Sequence, residues 1–249
     1  MRIIISPAKK MIVDTDSFPL ESLPTFLPRT ERLLAVLRDM SPAQLQALWK
    51  CNDAIAALNV ERLAAMDLSR SLTPAILSYE GIQYRYMAPT VFERSQLDYI
   101  RDHLRILSGF YGLLRPFDGV TPYRLEMQAK LAVDGCRDLY AFWGGALAEA
   151  LAAETDLVVN LASKEYSKAV ESHLPPSVRF LTCTFGEEKN GKVLEKGTAC
   201  KMARGQMVRW MAERGVERAE DLRDFDGLGY AFSPAHSTEN HFVFLKGET

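Results

Sequence analysis

The period of the apolar positions changes repeatedly along this chain, and each change marks an element. Arg2 to Ile5 is a short β-branched run that predicts an interior strand, closed by the turn-forming Ser6-Pro7-Ala8-Lys9. Asp14 to Pro28 carries Pro19, Pro24 and Pro28 without any period, which predicts an irregular surface connection. From Thr30 to Met40 the leucines at 33, 34 and 37 keep helical spacing. Ser41-Pro42 then offers a cap and first turn for a helix through Leu45, Leu48 and Trp49. That helix is expected to run to about Ala56 and to break at Ala57-Leu58-Asn59, with Asn59 capping a new helix over Val60 to Met66. The segment has the outline of a helix-hairpin-helix, in which amides at the hairpin hold a DNA phosphate. An αα-hairpin with a purely packing role fits the same spacing.

Farther on, Ala75 to Tyr86 reads as one or two strands broken at Gly81, and Gln96 to Leu107 as a helix with Leu97, Ile100, Leu104 and Leu107 on one face. Ser108-Gly109 turns the chain; Pro116 and Pro122 exclude a long helix after it, and Tyr123 to Val133 alternates as a strand would. Asp138 to Glu154 is expected to be one helix capped by Asp138, with Gly144-Gly145 admitting a close neighbour. Leu157 to Leu161 predicts a buried strand that runs through Ala162-Ser163 into a helix bearing Lys164, Glu165 and Tyr166. This junction suits an anion, although a plain cap by Ser163 accounts for it more simply. Asn190-Gly191 between Arg179–Phe185 and Lys192–Lys196 is the clearest hairpin signal. Lys201 to Arg214 predicts an amphipathic helix, and Tyr230–Phe232 and Phe242–Leu245 the closing strands. Strands and helices do not alternate regularly. The expectation is therefore an α+β fold: one compact domain spanning 1–249, with a mixed sheet and surrounding helices that include the helix-hairpin-helix-like element.

Composition narrows the choice of function. Of 249 residues, 47% are hydrophobic and 25% charged, an ordinary globular balance with material for a sizeable core. Thirty basic against 32 acidic side chains leave a formal charge of -2, so a nucleic-acid or phosphate site has to be a local concentration of cations. Cys51, Cys136, Cys183 and Cys200 stand far apart without CxxC, which indicates neither a disulfide framework nor a zinc knuckle and fits structural thiols in a reducing compartment. The apolar run of MRIIISPAKK is too short for a signal peptide, and no stretch approaches a membrane span, so a soluble cytoplasmic protein is expected.

The candidate chemistry centres on His103 to Met127, HLRILSGFYGLLRPFDGVTPYRLEM, where Arg105, Arg115 and Arg124 are spread among aromatics beside two glycines. Arginine forks suit phosphate or carboxylate, yet pairing with acids elsewhere is the simpler account of these residues taken alone. Ser6 and Lys9 after the first strand offer a hydroxyl and an ammonium. Lys201, Arg204 and Arg209 give one helix a basic edge. Gly186 and Gly191-Lys192 have P-loop spacing, but Val193 replaces the Ser/Thr and a strand follows, which excludes that motif.

Taken together, SPAK at 6–9, HLRILSGFYGLLRPFD at 103–118, PYRLEM at 122–127, DLYAFWG at 138–144, NLASKEY at 160–166 and ARGQMVRW at 203–210 resemble the YaaA family of peroxide stress resistance proteins, also called UPF0246. The resemblance implies a cytoplasmic protein that protects against hydrogen peroxide, linked to control of unincorporated iron and the DNA damage it drives. It further implies a single-domain fold peculiar to the family, a helix-hairpin-helix element, a positively charged cleft and binding to double-stranded or distorted DNA. By position it nominates Ser6, Lys9, Arg105, Arg115, Arg124, Lys201, Arg204 and Arg209 for that cleft. The stretch from 103 to 127 is expected to form one wall, and the helix bearing Lys201 to Arg209 the other. Two departures stand out: AALN at 56–59 lacks the hairpin glycine, and FSPAHSTENH at 232–241 replaces a more serine- and acid-rich stretch.

Three functions follow as expectations. The first is DNA binding through phosphates, structure-selective more than sequence-selective. The second is an enzyme acting on a nucleotide or nucleobase, with Ser6, Lys9, Glu126, Glu165 and Tyr166 converging as acid, base and nucleophile. A pocket holding two of these groups with a perturbed carboxylate favours it; a shallow arginine-lined groove counts against it. The third is direct iron binding, for which the four histidines, with His236 and His241 five apart on a surface loop, show no ligand spacing. No cofactor or metal is expected, and the oligomeric state is open.

Overall fold

The computed structural model describes residues 1–247. The chain enters through β1 (Arg2–Ile5), whose three isoleucines are fully buried, and then β2 (Lys10–Met11). The irregular stretch that follows leads into α1 (Leu27–Arg38), α2 (Pro42–Trp49) and α3 (Asp53–Ala65). Next come β3 (Thr73–Pro74), α4 (Ala75–Ser78), β4 (Tyr79–Glu80) and α5 (Ile82–Met87). α6 (Arg94–His103) delivers the chain to β5 (Leu104–Ser108), β6 (Gly112–Leu114) and β7 (Gly119–Val120). α7 (Leu139–Trp143) and α8 (Ala146–Ala152) precede β8 (Leu157–Leu161) and α9 (Lys164–Glu171). The hairpin of β9 (Arg179–Lys189) and β10 (Lys192–Leu194), α10 (Gly197–Arg214), β11 (Tyr230–Phe232) and β12 (His241–Lys246) complete the domain.

One mixed sheet organises these elements, in the order β11-β12-β9-β8-β1-β5-β6 with β10 paired to β9. The central run β12, β9, β8, β1 and β5 is parallel throughout, while β6 and β11 pair antiparallel at the two ends. The architecture is α+β and single-domain, as the irregular element order indicates. Its parallel centre is not legible from that order, because the segments joining the strands contain several short helices and irregular stretches where a single crossover helix would signal alternation. Strands covered on both faces read as near-continuous apolar runs, as Ile3–Ile5 of β1 and Leu157–Val159 of β8 do, whereas the equally buried β5 is interrupted by Arg105.

Several expectations change. Ala75 to Tyr86 is mostly helical, because Ala75 to Ser78 is buried on every side and so carries no alternation by which strand and helix differ. The expected helix to Leu107 ends at His103; Leu104 to Ile106 instead pair parallel with β1 and Ile106 to Ser108 antiparallel with β6, and this sheet pairing of five buried residues overrides their helical spacing. Tyr123 to Val133 is no strand. Gly109 packs so tightly on this segment that a Cβ there would lie 2.5 Å from the Leu125 carbonyl oxygen, so backbone proximity takes the place of strand pairing. The helix expected over 138–154 is two helices, broken where Gly144 adopts a φ of +50°.

The hairpin of helices is present with a shifted break. α2 ends at Lys50 in a left-handed conformation, and Asn52, not Asn59, caps α3 by accepting a 3.0 Å hydrogen bond from the Ile55 amide. Asn59 lies inside α3 and donates to the Ile55 carbonyl. Ser41 forms the expected cap with Gln44. Asn190 and Gly191 both have positive φ, as a type I′ turn between β9 and β10 requires.

Candidate functional site

Counting the parallel strands alone in chain order, the first lies between the second and the third, since β1 pairs with β5 on one side and β8 on the other. In open sheets with such a reversal, the crevice outside the carboxyl ends of the strands flanking it is the natural ligand position. Here Ser6 to Lys9 continues directly from Ile5, and Ser163, Glu165 and Tyr166 follow from Leu161, the residue in register with Ile5. These two segments line a cavity of about 420 Å³, within the roughly 300–1,000 Å³ typical of small-molecule sites. Residues 123–126, α5 and α10 supply its remaining walls.

Hydrogen bonds hold the two strand ends together. Ser6 Oγ accepts from the Ser163 amide at 2.8 Å and lies 3.2 Å from Ser163 Oγ, while Tyr84 donates to the Ser6 carbonyl at 3.0 Å. Ser163 occupies the N-cap of α9 but makes no side-chain capping bond, contrary to the plain cap expected of it. The contact with Ser6 engages this residue instead. α9 therefore presents its first turn to the cavity without a side-chain cap.

On the facing side, Arg124 and Glu126 are both about nine-tenths buried, with Arg124 Nη2 3.2 Å from Glu126 Oε1. Lys9 Nζ reaches the same oxygen at 3.2 Å from a side chain that is 65% exposed. Neither cation is aligned with that oxygen for a hydrogen bond, so Glu126 Oε1 is charge-compensated but lacks a donor. Arg124 Nη2 also donates weakly, at 3.4 Å, to the Trp49 carbonyl at the end of α2. Its Nε has no partner, and neither do Gln83 Nε2 and Arg204 Nε. Four buried polar atoms of cavity-lining residues thus have no protein partner, a costly arrangement concentrated around this cavity.

Glycine sets the placement of α10. A Cβ at Gly205 would lie 2.0 Å from the Gln83 carbonyl oxygen, so only glycine lets α10 rest on the backbone of α5 and bring Arg204 and Lys201 to the cavity edge. Lys201 has no carboxylate partner among the described residues, whereas Arg204 touches Glu195 at 3.5 Å.

Burial, the main cause, and the nearby charge of Glu126 raise the carboxyl of Glu165 above its ordinary range, opposed by the amide of Gln128 at 3.3 Å. Burial likewise raises the phenols of Tyr84, Tyr123 and Tyr166. They remain neutral, and Tyr123 is fixed by hydrogen bonds to Ser108 at 2.6 Å and Tyr79 at 2.9 Å. The cavity thus grades from exposed ammonium groups at its mouth to phenols, an amide and carboxyls in its depth.

Of the residues nominated for a basic cleft, Ser6, Lys9, Arg124, Lys201 and Arg204 meet here. Arg105, Arg115 and Arg209 do not. Arg105 is buried on β5 and bound to Glu154 at 2.6 and 2.9 Å, with Arg2 on the same carboxylate at 2.7 Å. Burial, outweighing those contacts, lowers its otherwise very high pKa. Arg115 is exposed beside it, and Arg209 pairs along its own helix with Glu213 at 2.7 Å. Ser6, Lys9, Glu126, Glu165 and Tyr166, nominated for catalysis, all line the cavity. His236 contacts Ser233 and Glu188, and His241 contacts Thr184. No group of three or more metal-ligating side chains is found among the described residues.

Sequence reasoning missed Lys10, Glu80, Gln83, Tyr84 and Tyr123 as lining residues. Lys10 directly follows the SPAK turn, a signal that was available. Gln83 and Tyr84 sit in the stretch misread as strand, where nothing marks a cavity wall.

Comparisons with known proteins cover the whole chain. Residues 1–236 match the family model described as peroxide stress protein YaaA. A UPF0246 protein of Lachnoclostridium phytofermentans is 53% identical over 249 residues, spanning 100% of this chain and 98% of its own. A UPF0246 protein of Agathobacter rectalis is 50% identical over 244 residues, covering 98% of each chain, and one from Pediococcus pentosaceus is 51% identical over 248, covering 100% of this chain and 99% of its own.

Proposed function

The chain belongs to the peroxide stress protein YaaA family, and from that premise we propose that it acts in peroxide stress by binding double-stranded or distorted DNA, limiting iron-dependent damage to it. The observation that supports this reading is the convergence of Lys9, Arg124, Lys201 and Arg204 on one cavity in a protein whose formal charge is only -2. Local cations of this kind neutralise backbone phosphates and release their counterions, which gives binding that weakens as salt rises. The pairing of α2 with α3 is the second element this reading assigns to phosphate contact. No helix among the described residues is long and apolar enough to cross a membrane.

The test is equilibrium binding to duplex and bubble DNA at two salt concentrations. Affinity that falls with salt, and a slope shallower by about 1 in Arg204→Ala, are expected. No binding at low salt sinks the reading.

A second reading, an enzyme acting on a nucleotide or nucleobase, is favoured by one observation: Ser6, Lys9, Glu126, Glu165 and Tyr166 line a single cavity that contains a carboxyl of raised pKa. Two carboxyls in unlike surroundings suit a division into proton donor and acceptor. Release of free base or of a shortened strand from DNA, lost in Glu165→Gln, is its test.

A further inference from the structure

Resting on the DNA-binding reading, we infer that the cavity receives a single nucleotide displaced from the duplex, with its base held in the depth and its flanking phosphates on the cations at the mouth.

The argument begins with size. About 420 Å³ is far too small for a duplex and suited to one nucleotide. The charges are also sorted by depth. Lys9 and Lys201 are exposed, whereas Glu126, Gln83, Tyr123 and Tyr166 are buried. A site built only for phosphate has no use for a nine-tenths buried carboxylate at the place where ligand charge would concentrate, since like charges repel. The Glu126 carboxylate accepts hydrogen bonds and is compensated by Lys9 and Arg124, each 3.2 Å from Oε1, while the Gln83 amide donates and its Nε2 has no protein acceptor, so the depth suits a ligand with both a donor and an acceptor. A nucleobase edge offers both, because amino and imino groups donate while carbonyl and ring nitrogens accept. Neutral phenols in the cavity wall supply apolar surface against which a base of any identity packs.

Displacement has a cost in unpairing and unstacking that is smallest where pairing is already broken. Selectivity for distorted over regular duplex therefore follows from this cavity without any reading of sequence.

The experiment compares two duplexes that differ only inside the cavity. One carries a single unpaired nucleotide as a bulge and the other an abasic bulge at the same place. The natural protein is expected to bind the base-bearing bulge about tenfold more tightly, the increment of one base stacked and hydrogen-bonded. Gln83→Leu and Glu126→Gln, each checked by thermal melting for retention of fold, are expected to abolish that preference. The leucine variant removes no hydrogen bond to protein from the amide nitrogen, so loss of preference there does not trace to misfolding.

Equal binding to the two bulges by the natural protein overturns the inference and leaves the DNA reading standing. A preference that persists in both variants places the base elsewhere and also overturns it. Absence of binding to either duplex at low salt removes the DNA reading and this inference together. A free nucleoside monophosphate held by the protein while neither duplex binds shows that the nucleotide comes from solution, and overturns the inference as well.

Discussion

Two groups of arginines in this protein resemble one another in sequence and differ in what surrounds them. Arg105, with Arg2, surrounds Glu154 with short hydrogen bonds and gives its remaining donors to the carbonyls of Arg101 and Leu104. Arg124 and Arg204 each retain a buried Nε with no protein partner. This largely buried ion cluster ties β1 and β5 to the segment that follows α8, and removing Arg105 leaves Glu154 with Arg2 alone as a cation partner among the described residues. Arginines left incompletely satisfied cost stability, which a partner for those donors would restore. Satisfaction of donors, more than burial or motif membership, separates Arg105 from Arg124 and Arg204.

The comparison breaks most readily at Arg105. Arg105→Ala is expected to lower stability by about 3 kcal/mol in denaturant unfolding, while DNA affinity per folded molecule stays as it was. Lost affinity with unchanged stability would reverse the assignment. Gly205→Ala comes next, at about 2 kcal/mol, because its Cβ collides with the Gln83 carbonyl and α10 must move away from α5. Since that motion carries Arg204 and Lys201 with it, stability and binding fall together, unlike in the Arg105 variant. Lys201→Ala acts on binding alone. Its exposed ammonium lacks a carboxylate partner among the described residues, so stability changes by less than about 0.5 kcal/mol and the salt dependence of DNA binding shallows by about one charge.

Acid sharpens the contrast by its sign. Burial alone would raise the carboxyl of Glu154, but the hydrogen bonds from Arg2 and Arg105 outweigh it and its pKa is lowered. Its contribution is present above about 4.5, the ordinary glutamate value, and is lost as pH falls through the lowered folded value. Glu165 is shifted the other way. The stability it contributes is present below about 4.5 and is lost as pH rises through its raised folded value. Glu154→Gln should therefore flatten the acid limb of a stability-against-pH curve, and Glu165→Gln the limb between that value and neutrality. The same direction of change in both variants would remove the distinction. The smallest effect on stability is expected at Gln83→Leu, which leaves it unchanged or raises it by only roughly a few tenths of a kcal/mol, since the unpartnered amide nitrogen is removed.

How much of this could be read from the chain depends on the scale of the feature. Local signals were legible: Ser41 and Asp138 as caps, Asn190-Gly191 as a hairpin turn, Arg2 to Ile5 and Leu157 to Leu161 as buried strands. Each rests on chemistry within a few residues. Leu104 to Leu107 misled because its helical spacing is real and only pairing with β1 decides against it. Arg105 and Arg124 could not be told apart, because Glu154 lies distant in sequence from one and Trp49 from the other.

The sequence alone determined the family, the mixed α+β class and more than half of the polar side chains that meet at the cavity, since motif chemistry and apolar period are written locally. Only the tertiary structure decided that the strands beside β1 run parallel, that their carboxyl ends meet where the strand order reverses, and that SPAK, Arg124 and α10 face one another there. The physical reason is that a hydrogen-bond donor is spent or free according to what lies across space from it. In this protein the partners that settle the matter come from distant parts of the chain.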